Sequence, residues 1–361
     1  MSVGEVNAID LMVETMQSAE FGMEPVVSSM TDTGYRRAKS LFAGRCEVVR
    51  WPFDATFAVE RLLDRVGPDA VGLVELEVWP NFLRSCARRD IPVAVINGRL
   101  SERSHRRYQG LGPIGRRLFS GLRRIGVQDE VYAERFGSLG LPPDRIVVTG
   151  SMKWDTARIA DEVDGADALA EAMGIDRNLP LVVAGSTAPE EHLLLREAVP
   201  AGVQLLCAPR KPEWFEAAAR TLEGCARRSA GTRGSSTGRF LLDTIGELRA
   251  AYGLADIVVV GRTFVDLGGS DMIEPVALGR PTVIGPDVRN FEVISKALID
   301  AQGVVQTDAA DLGTVIESLL TSPAKGVDMT NRGRACIRER QGATHRHAAL
   351  LNAFLGREFV Q

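Results

Sequence analysis

Charged side chains follow two apolar, strand-like segments of this 361-residue chain, at positions suited to group-transfer chemistry. Glu75 and Glu77 end the segment "AVGLVELE", and Arg210 with Lys211 follows "VQLLCAP". Two carboxylates that face the same way are costly unless they are used or paired. Arginine can hold a phosphate through two parallel hydrogen bonds, so Arg210 and Lys211 are candidates for neutralising a phosphate leaving group.

A glycine pair precedes a predicted helix in the segment "GRTFVDLGGSDMIEP", which follows the apolar strand "DIVVV". Gly268 and Gly269 would let the backbone approach a ligand closely, and Ser270 or Asp271 could cap the helix. Free N–H groups at the helix start would then hold a phosphate. Glu274, one turn into the helix, could accept hydrogen bonds from ribose hydroxyls. The segment therefore predicts a nucleotide-binding turn.

Strand-like and helix-like segments alternate along the chain, and open α/β sheets place their sites where strands end. The predicted strands cover residues 25–29, 47–50, 70–74, 92–96, 124–128, 145–149, 181–184, 204–208, 240–242, 256–260, 281–284 and 303–306. The predicted helices of the first half lie around residues 56–66, 78–89, 100–120 and 129–139. This alternation indicates parallel sheets joined by crossover helices.

The predicted fold class is α/β, with two Rossmann-like domains that face each other. Residues 1–155 form the first domain, and an acidic, alanine-rich stretch over residues 156–178 forms a connector. Residues 179–361 form the second domain. The length of the chain is sufficient for each domain to bury a core of its own.

Composition narrows the protein class. Hydrophobic residues make up 45% and charged residues 25% of the chain, as in ordinary soluble domains. No run approaches the ~18 apolar residues that span a bilayer, and we expect no signal peptide. The five cysteines are scattered and the four histidines do not cluster, so the sequence predicts neither a disulfide framework nor a metal site. A reducing cytoplasm fits this cysteine usage.

Basic residues concentrate between Arg99 and Arg124, where eight arginines accompany one acidic residue, Glu102. They either form a solvated helix face or a surface for an anionic partner such as phosphorylated lipid, a membrane or nucleic acid. Apolar residues recur there at three- and four-residue spacings, as in a basic amphipathic segment, although they could equally pack into the core. The apolar residues are Ile114, Leu118, Leu122 and Ile125, and the neighbouring basic residues are Arg116, Arg117, Arg123 and Arg124. We expect an anionic membrane surface as the partner, and no nucleic acid.

Eight segments in order carry a resemblance to a known family. They are "SVGE" (2–5), "ELEVWPN" (75–81), "INGRLSERS" (96–104), "VTGSMKWD" (148–155), "APRKPEWF" (208–215), "DTIGEL" (243–248), "GGSDMIEPVALGRP" (268–281) and "GPDVRNF" (285–291). Together the segments resemble those of the Kdo transferases, which transfer 3-deoxy-D-manno-octulosonic acid (Kdo) in lipopolysaccharide synthesis.

The resemblance implies a GT-B glycosyltransferase that is inverting and independent of metal ions, with no cofactor. It implies CMP-Kdo as the donor, a lipid A precursor as the acceptor, and a peripheral location at the cytoplasmic face of the inner membrane. In this family the glutamate of "SVGE", here Glu5, is the catalytic base. One glutamate of the "ELE" segment is essential, and it matches either Glu75 or Glu77. Lys153 matches a lysine that stabilises the transition state.

The resemblance also implies a set of donor-binding positions in the second half of the chain. They are Pro209, Arg210, Ile245, Gly246, Glu247, Gly269, Asp271, Met272, Ile273 and Glu274. Two departures from the family pattern stand out. Lys211 replaces the usual histidine after the arginine, and residues 270–273 read Ser-Asp-Met-Ile in place of His-Asn-Pro-Leu. An aspartate repels a phosphate unless it caps the helix instead.

The opening segment "MSVGEVNAID" places Glu5 in the turn before a predicted helix. In the family a membrane anchor and a first strand precede this glutamate. We expect that the start of the chain has been assigned too late, since loss of a central strand would expose apolar sheet edges. Two alternatives remain open: a related transferase that uses another nucleotide sugar, and a truncated homologue without catalytic activity.

Overall fold

The computed structural model describes residue 6 and residues 8–356, which divide into two compact units. The first unit comprises Met1–Thr156 together with Arg340–Gln361, and the second comprises Ala157–Glu339. This division corrects the expected boundaries in two places. Residues 157–178 belong to the second unit and are not a separate connector, and the end of the chain returns to the first unit.

The first unit contains two parallel sheets, with strand orders β1-β2 and β3-β4-β5-β6. Its strands are β1 (Val26–Ser29), β2 (Glu47–Arg50), β3 (Val71–Val74), β4 (Val93–Gly98), β5 (Arg124–Val127) and β6 (Ile146–Val148). Its helices are α1 (Asp10–Gln17), α2 (Asp32–Leu41), α3 (Thr56–Val66), α4 (Pro80–Arg88), α5 (Glu102–Gly110), α6 (Pro113–Ser120), α7 (Glu130–Ser138) and, at the end of the chain, α16 (Ala343–Asn352). All six predicted strands of the first half are present within a few residues of their expected bounds.

The helix predicted over residues 100–120 is two helices, α5 and α6. Gly112 between them has φ +53°, a left-handed conformation that interrupts the helix, and Pro113 then starts α6. Helix α4 also begins with a proline, Pro80. The carboxylate of Asp54 caps α4 by accepting the N–H groups of Asn81 (3.0 Å) and Phe82 (2.9 Å).

A cavity of about 810 Å³ in the first unit is lined by residues of both β1 and β3. Within the described residues β1 pairs only with β2, and β3 pairs only with β4. Each sheet therefore has an edge strand at this cavity whose second side pairs with no described strand. Among the described residues the two sheets of the first unit are therefore not hydrogen-bonded to each other.

Helix α16 packs into the core of the first unit, although it lies almost 200 residues beyond β6. Ala348 and Leu351 share a buried cluster with Met12 of α1 and Ile96 of β4. The carboxylate of Asp155 accepts the N–H groups of residues 342 (2.6 Å) and 344 (2.5 Å) at the start of the helix. This capping and burial explain why the end of the chain belongs to the first unit.

The second unit is built on one parallel sheet with strand order β13-β12-β11-β7-β8-β10-β9. Its strands are β7 (Leu181–Thr187), β8 (Gln204–Pro209), β9 (Ala226–Arg227), β10 (Arg239–Leu241), β11 (Ile257–Val260), β12 (Thr282–Ile284) and β13 (Val305–Gln306). Its helices are α8 (Ala166–Met173), α9 (Glu191–Ala198), α10 (Phe215–Thr221), α11 (Leu248–Leu254), α12 (Ile273–Ala277), α13 (Glu292–Asp300), α14 (Leu312–Thr321) and α15 (Pro323–Arg340). Strands β7, β8 and β11 are almost wholly buried, as their continuous apolar sequences predict.

Residues 157–178 pack against the second unit through specific contacts. Arg334 donates to the carbonyl of Ala160 (2.7 Å) and forms an ion pair with Asp161 (2.6 Å). A Cβ added at Gly253 of α11 would lie 2.7 Å from Val163, so the chain before α8 passes very close to that helix. These contacts are the reason why the stretch is not an independent connector. In the part of the chain that the structure describes, no helix is both long enough and apolar enough to cross a membrane.

Candidate functional site

The carboxyl ends of β7 and β8 place a cation at one edge of the second sheet. Pro209 is the buried last residue of β8, and the exposed Arg210 follows it. The backbone N–H of Arg210 donates to the carbonyl of Thr187 at the end of β7 (3.0 Å). Among the described residues no acidic side chain pairs with the Arg210 guanidinium, so this cation is available to an anionic ligand.

Lys211 differs from Arg210 because its ammonium group is already engaged. It lies 3.2 Å from a carboxylate oxygen of Glu213 and 4.8 Å from the ring centroid of Trp214. Both contacts are local and partly exposed, and each stabilises the charged lysine. Arg210 is therefore the better candidate of the two for contact with a phosphate.

The glycine pair after β11 is required by both its conformation and its surroundings. Gly268 and Gly269 have φ +78° and +80°, in the region that favours glycine. A Cβ at Gly268 would lie 2.3 Å from the side chain of Asn290. The carboxylate of Asp287 accepts the N–H of Gly268 (2.6 Å), and hydrogen bonding to Arg289 lowers the pKa of Asp287 to about 2. The pair is thus fixed against the loop over residues 285–291.

The helix after the glycine pair is α12, with only five residues. Its N-cap residue is Met272, which makes no side-chain capping bond, so neither Ser270 nor Asp271 occupies the cap position. The carboxylate of Asp271, one residue earlier, accepts the N–H of Ile273 (2.9 Å), whereas the buried hydroxyl of Ser270 has no partner among the described residues. Met272 and Ile273 are at most 1% exposed, so neither residue presents surface to a ligand in this structure.

Glu274, the candidate ligand for ribose hydroxyls, pairs with Arg249 of α11 at 3.2 Å. Both side chains are about one-third exposed. A sugar could therefore still reach the carboxylate, which has further acceptor capacity. Glu274 is the second residue of α12, closer to the helix start than the sequence indicated.

The turn over residues 245–247 combines an exposed apolar residue with a held carboxylate. Ile245 is 73% exposed, and Gly246 has φ +99°. Glu247 accepts hydrogen bonds from Arg228 (2.9 Å) and Thr244 (2.5 Å). Burial alone would raise the pKa of Glu247, but these two partners lower it below its usual value. Its carboxylate is therefore ionised and fixed in place.

The sequence suggested that Glu75 and Glu77 end a strand of the first unit. The structure places both after the strand, because β3 ends at Val74. Glu75 has φ +57°, which is uncommon for a residue other than glycine and costs on the order of 1 kcal/mol. Its N–H continues the ladder by donating to the carbonyl of Ile96 (2.9 Å). Glu77 instead accepts the indole N–H of Trp79 (3.2 Å).

Lys153 reaches the same part of the sheet by a return of the chain after β6. It lies in a short 3₁₀ turn, Met152–Trp154. The N–H of Met152 donates to the side-chain oxygen of Asn97 at the end of β4 (3.1 Å). Because Ile96 accepts the N–H of Glu75, the segments that carry Glu75 and Lys153 are both hydrogen-bonded to adjacent residues of β4.

Asn97 connects these segments to the core, and sequence reasoning did not single it out, although it lies in the matched segment "INGRLSERS". It has φ +53° and is 1% exposed. Its N–H donates to Nε2 of the buried His347 (3.1 Å), and its carbonyl accepts from Gln128 (3.1 Å). A polar residue within an otherwise apolar strand was the available signal.

Glu5, expected to be the catalytic base, lies outside the described residues. The arginine-rich stretch is described, and its four candidate arginines are exposed: Arg116, Arg117, Arg123 and Arg124. Ile114 is 72% exposed, whereas Leu122 and Ile125 are fully buried. The expected continuous amphipathic segment is therefore wrong, because Ile125 belongs to strand β5 and only α6 presents an apolar residue beside the arginines.

Comparisons with known proteins agree with the sequence resemblance. A family model described as 3-deoxy-D-manno-octulosonic-acid transferase (kdotransferase) matches residues 1–156. The 3-deoxy-D-manno-octulosonic acid transferase of Haemophilus influenzae is 31% identical, over 99% of this chain and 86% of that protein. The transferase of Bordetella pertussis shows the same identity and coverage. That of Chlamydia trachomatis serovar A is 26% identical, over 95% of this chain and 81% of that protein.

Solved structures share the fold. A glycosyltransferase from Rickettsia africae has a TM-score of 0.65 at 11% identity, over 98% of this chain and 95% of that chain. A UDP-N-acetylglucosamine 2-epimerase has a TM-score of 0.63 at 14% identity, over 99% and 95%. At such identities the likeness concerns the fold alone. It confirms the predicted α/β class with two Rossmann-like units of the GT-B type.

Proposed function

Because the chain belongs to the Kdo transferase family, we propose that it transfers Kdo from CMP-Kdo to a lipid A precursor in lipopolysaccharide synthesis. The observation that carries this proposal is the 31% identity with the Haemophilus influenzae transferase over 99% of the chain. The geometry of the second unit supports it. Arg210 and the glycine pair follow β8 and β11 of one parallel sheet, at the edge where α/β folds bind nucleotides.

In the proposed reaction a hydroxyl of the acceptor sugar attacks the anomeric carbon of Kdo. Glu5 takes the hydroxyl proton as the new glycosidic bond forms. The bond between the anomeric carbon and the phosphate oxygen breaks, and CMP leaves with the electron pair, so the configuration inverts. Arg210 neutralises the phosphate, and Lys153 offsets the carboxylate of Kdo. This scheme needs no metal ion, because the cationic side chains supply the positive charge.

Between the two glutamates of the "ELE" segment, we assign the essential position to Glu75. Its strained backbone conformation and its link to β4 are features typical of residues held for function. Glu77 accepts a hydrogen bond from the indole of Trp79 two residues later, which fits a role in shaping the turn. Pro80 and Asn81 also shape this turn, because Pro80 begins α4 and the side chain of Asn81 donates to the carbonyl of Asp54.

Donor identity is tested by calorimetry with CMP, UDP and GDP, together with a transfer assay that supplies CMP-Kdo and a lipid A precursor. We expect CMP to bind most tightly and Kdo to be transferred. A preference for UDP or GDP would overturn the donor assignment, and would favour a related transferase whose donor site is altered at Asp271.

Replacement Glu274→Ala is expected to weaken CMP binding at least fivefold, about 1 kcal/mol, because a hydrogen bond between a charged group and the ribose is lost. The measurement is calorimetry on the purified chain. Glu317→Ala is the matched control, since Glu317 is an exposed glutamate on α14 of the same unit. Equal CMP affinity in Glu274→Ala and the wild type would remove Glu274 from the donor site.

We also propose that the protein binds peripherally to the cytoplasmic face of the inner membrane. Attraction of a basic residue to an anionic surface contributes roughly 1 kcal/mol. We therefore expect the chain to sediment with anionic vesicles at low salt and to be released at high salt. The support is the exposed Ile114 on α6 with the exposed Arg116 and Arg117 of the same helix, followed in the chain by the exposed Arg123 and Arg124.

The vesicle experiment uses a variant in which Arg116, Arg117, Arg123 and Arg124 are all replaced with glutamine. We expect it to lose vesicle binding while its circular dichroism is unchanged, because all four side chains are exposed. Matched neutral vesicles serve as the control. Equal binding to neutral vesicles, or full binding by the quadruple variant, would exclude this surface.

A further inference from the structure

A fully buried carboxylate lies where β7 meets α9 in the second unit. Glu191 is 1% exposed and has no basic partner among the described residues. Its carboxylate instead accepts three backbone N–H groups, from Ala188 (2.8 Å), Arg262 (2.8 Å) and Phe264 (3.1 Å). The first donor belongs to the loop after β7, and the other two belong to the loop after β11.

Burying a carboxylate without a basic partner costs free energy of folding, which indicates that Glu191 has a function that offsets this cost. Burial raises the pKa of Glu191, and the backbone N–H groups oppose that shift. A neutral side chain of the same shape would leave at least one of these buried N–H groups without an acceptor. The arrangement therefore ties two loops together at one point in the interior.

The next residue on α9 ties a third loop to the same point. His192 is fully buried, and its Nε2 lies 2.8 Å from the hydroxyl of Thr187 at the end of β7. The carbonyl of Thr187 accepts the N–H of Arg210 (3.0 Å), which begins the loop after β8. Glu191 and His192 thus reach the loops after β7, β8 and β11.

Arg262 connects Glu191 to the glycine pair through hydrogen bonds. It has φ +63°, a strained conformation that Glu191 fixes through its N–H. The carbonyl of Arg262 accepts the N–H of Gly269 (2.8 Å), and its guanidinium donates to the carbonyl of Leu267 (2.9 Å). Any change in Glu191 is therefore transmitted to Gly269 through one residue.

We propose that Glu191 and His192 are positioning residues, which hold the loops of Arg210 and of residues 262–269 in the arrangement that binds the nucleotide of the donor. Neither side chain is placed in contact with the donor, because both are buried beneath the loops. This inference rests on the proposed function only in naming the nucleotide as CMP. The hydrogen bonds to Arg262 and Phe264 stand without it.

The principal test compares Glu191→Gln with Glu190→Gln in the full chain, with CMP as the probe. Glutamine keeps the shape but points an N–H₂ group at backbone donors, so we expect CMP affinity to fall at least tenfold. Glu190 precedes it at the helix start and is exposed, so its variant should stay within twofold of the wild type. CMP affinity within twofold in Glu191→Gln would overturn the proposal.

Two further readouts separate positioning from general destabilisation. Hydrogen exchange should accelerate in the peptide that covers residues 262–269 of Glu191→Gln, and not in the strands of the sheet. The KM for CMP-Kdo should rise at least tenfold, while kcat falls less than threefold and the KM for the acceptor is unchanged. Faster exchange throughout the second unit would instead assign Glu191 a purely structural role and contradict the proposal.

A milder variant keeps the proposal testable if Glu191→Gln does not fold. Thr187→Val preserves the shape of the side chain and removes only the hydroxyl that contacts His192. It should weaken CMP binding about threefold, with no change in exchange at residues 262–269, and unaltered affinity would count against the role of His192. If the wild type itself does not bind CMP, the proposed function fails, whereas the exchange result still decides the role of Glu191.

Discussion

Glu5→Gln is expected to lower the rate of Kdo transfer by about 10²–10⁴-fold, the usual contribution of a general base. Glutamine keeps the size of the side chain and cannot take a proton from the acceptor hydroxyl. Calorimetry should meanwhile show CMP affinity within twofold of the wild type, because every proposed nucleotide contact lies in the second unit. A loss in kcat with unchanged donor affinity is the signature of a group that acts in the transition state.

The matched control for this experiment is Glu14→Gln, which changes an exposed glutamate on α1, in the segment that follows Glu5. It should transfer Kdo at the wild-type rate. Both substitutions are made in protein for which the rate of Kdo transfer has first been measured without substitution. Each variant's rate is then compared with that rate. Transfer by Glu5→Gln at the wild-type rate would show that another residue is the base, and Glu75 would be the next to replace.

Strands were predictable from the sequence because their signals are local. The run that forms β11 is apolar throughout and bounded by turn residues, and the structure buries all four of its residues. The same kind of signal failed over residues 100–125. Ile114 and Ile125 fall on one helical repeat in the sequence, but α6 ends at Ser120 and Ile125 lies in strand β5.

Partners distant in the sequence could not be predicted in the same way. Strand-end reasoning located Glu274 and the glycine pair, yet it did not show that Arg249 pairs with Glu274 from 25 residues away. Asn97 was passed over because its partner His347 is 250 residues away in the chain. A pattern within one segment carries no information on which distant segment will cover it, and this limit applies equally to Glu191.

Acid is expected to destabilise the first unit through His347, by about 3 kcal/mol between pH 6.5 and pH 4. The imidazole is fully buried, and burial lowers its pKa to about 4. In the unfolded chain a histidine takes up its proton near pH 6.5, so within this window the unfolded state binds more protons than the native state. Stability therefore falls as the pH falls, and the loss is complete only below the native pKa.

The measurement is urea unfolding between pH 7 and pH 5, before most carboxylates titrate, and about 2 kcal/mol of the loss should be visible there. Tryptophan fluorescence reports mainly on the first unit, which contains Trp51, Trp79 and Trp154. His347→Gln keeps an acceptor for the N–H of Asn97 and should flatten the pH dependence, whereas His105→Gln, at a solvent-exposed hydrogen bond, should not. An unchanged slope in His347→Gln would assign the acid sensitivity to other groups. In the folded protein the imidazole stays neutral until the pH approaches 4, so the hydrogen bond from Asn97 is kept between pH 7 and pH 5, and we expect no loss of Kdo transfer through this contact in that range.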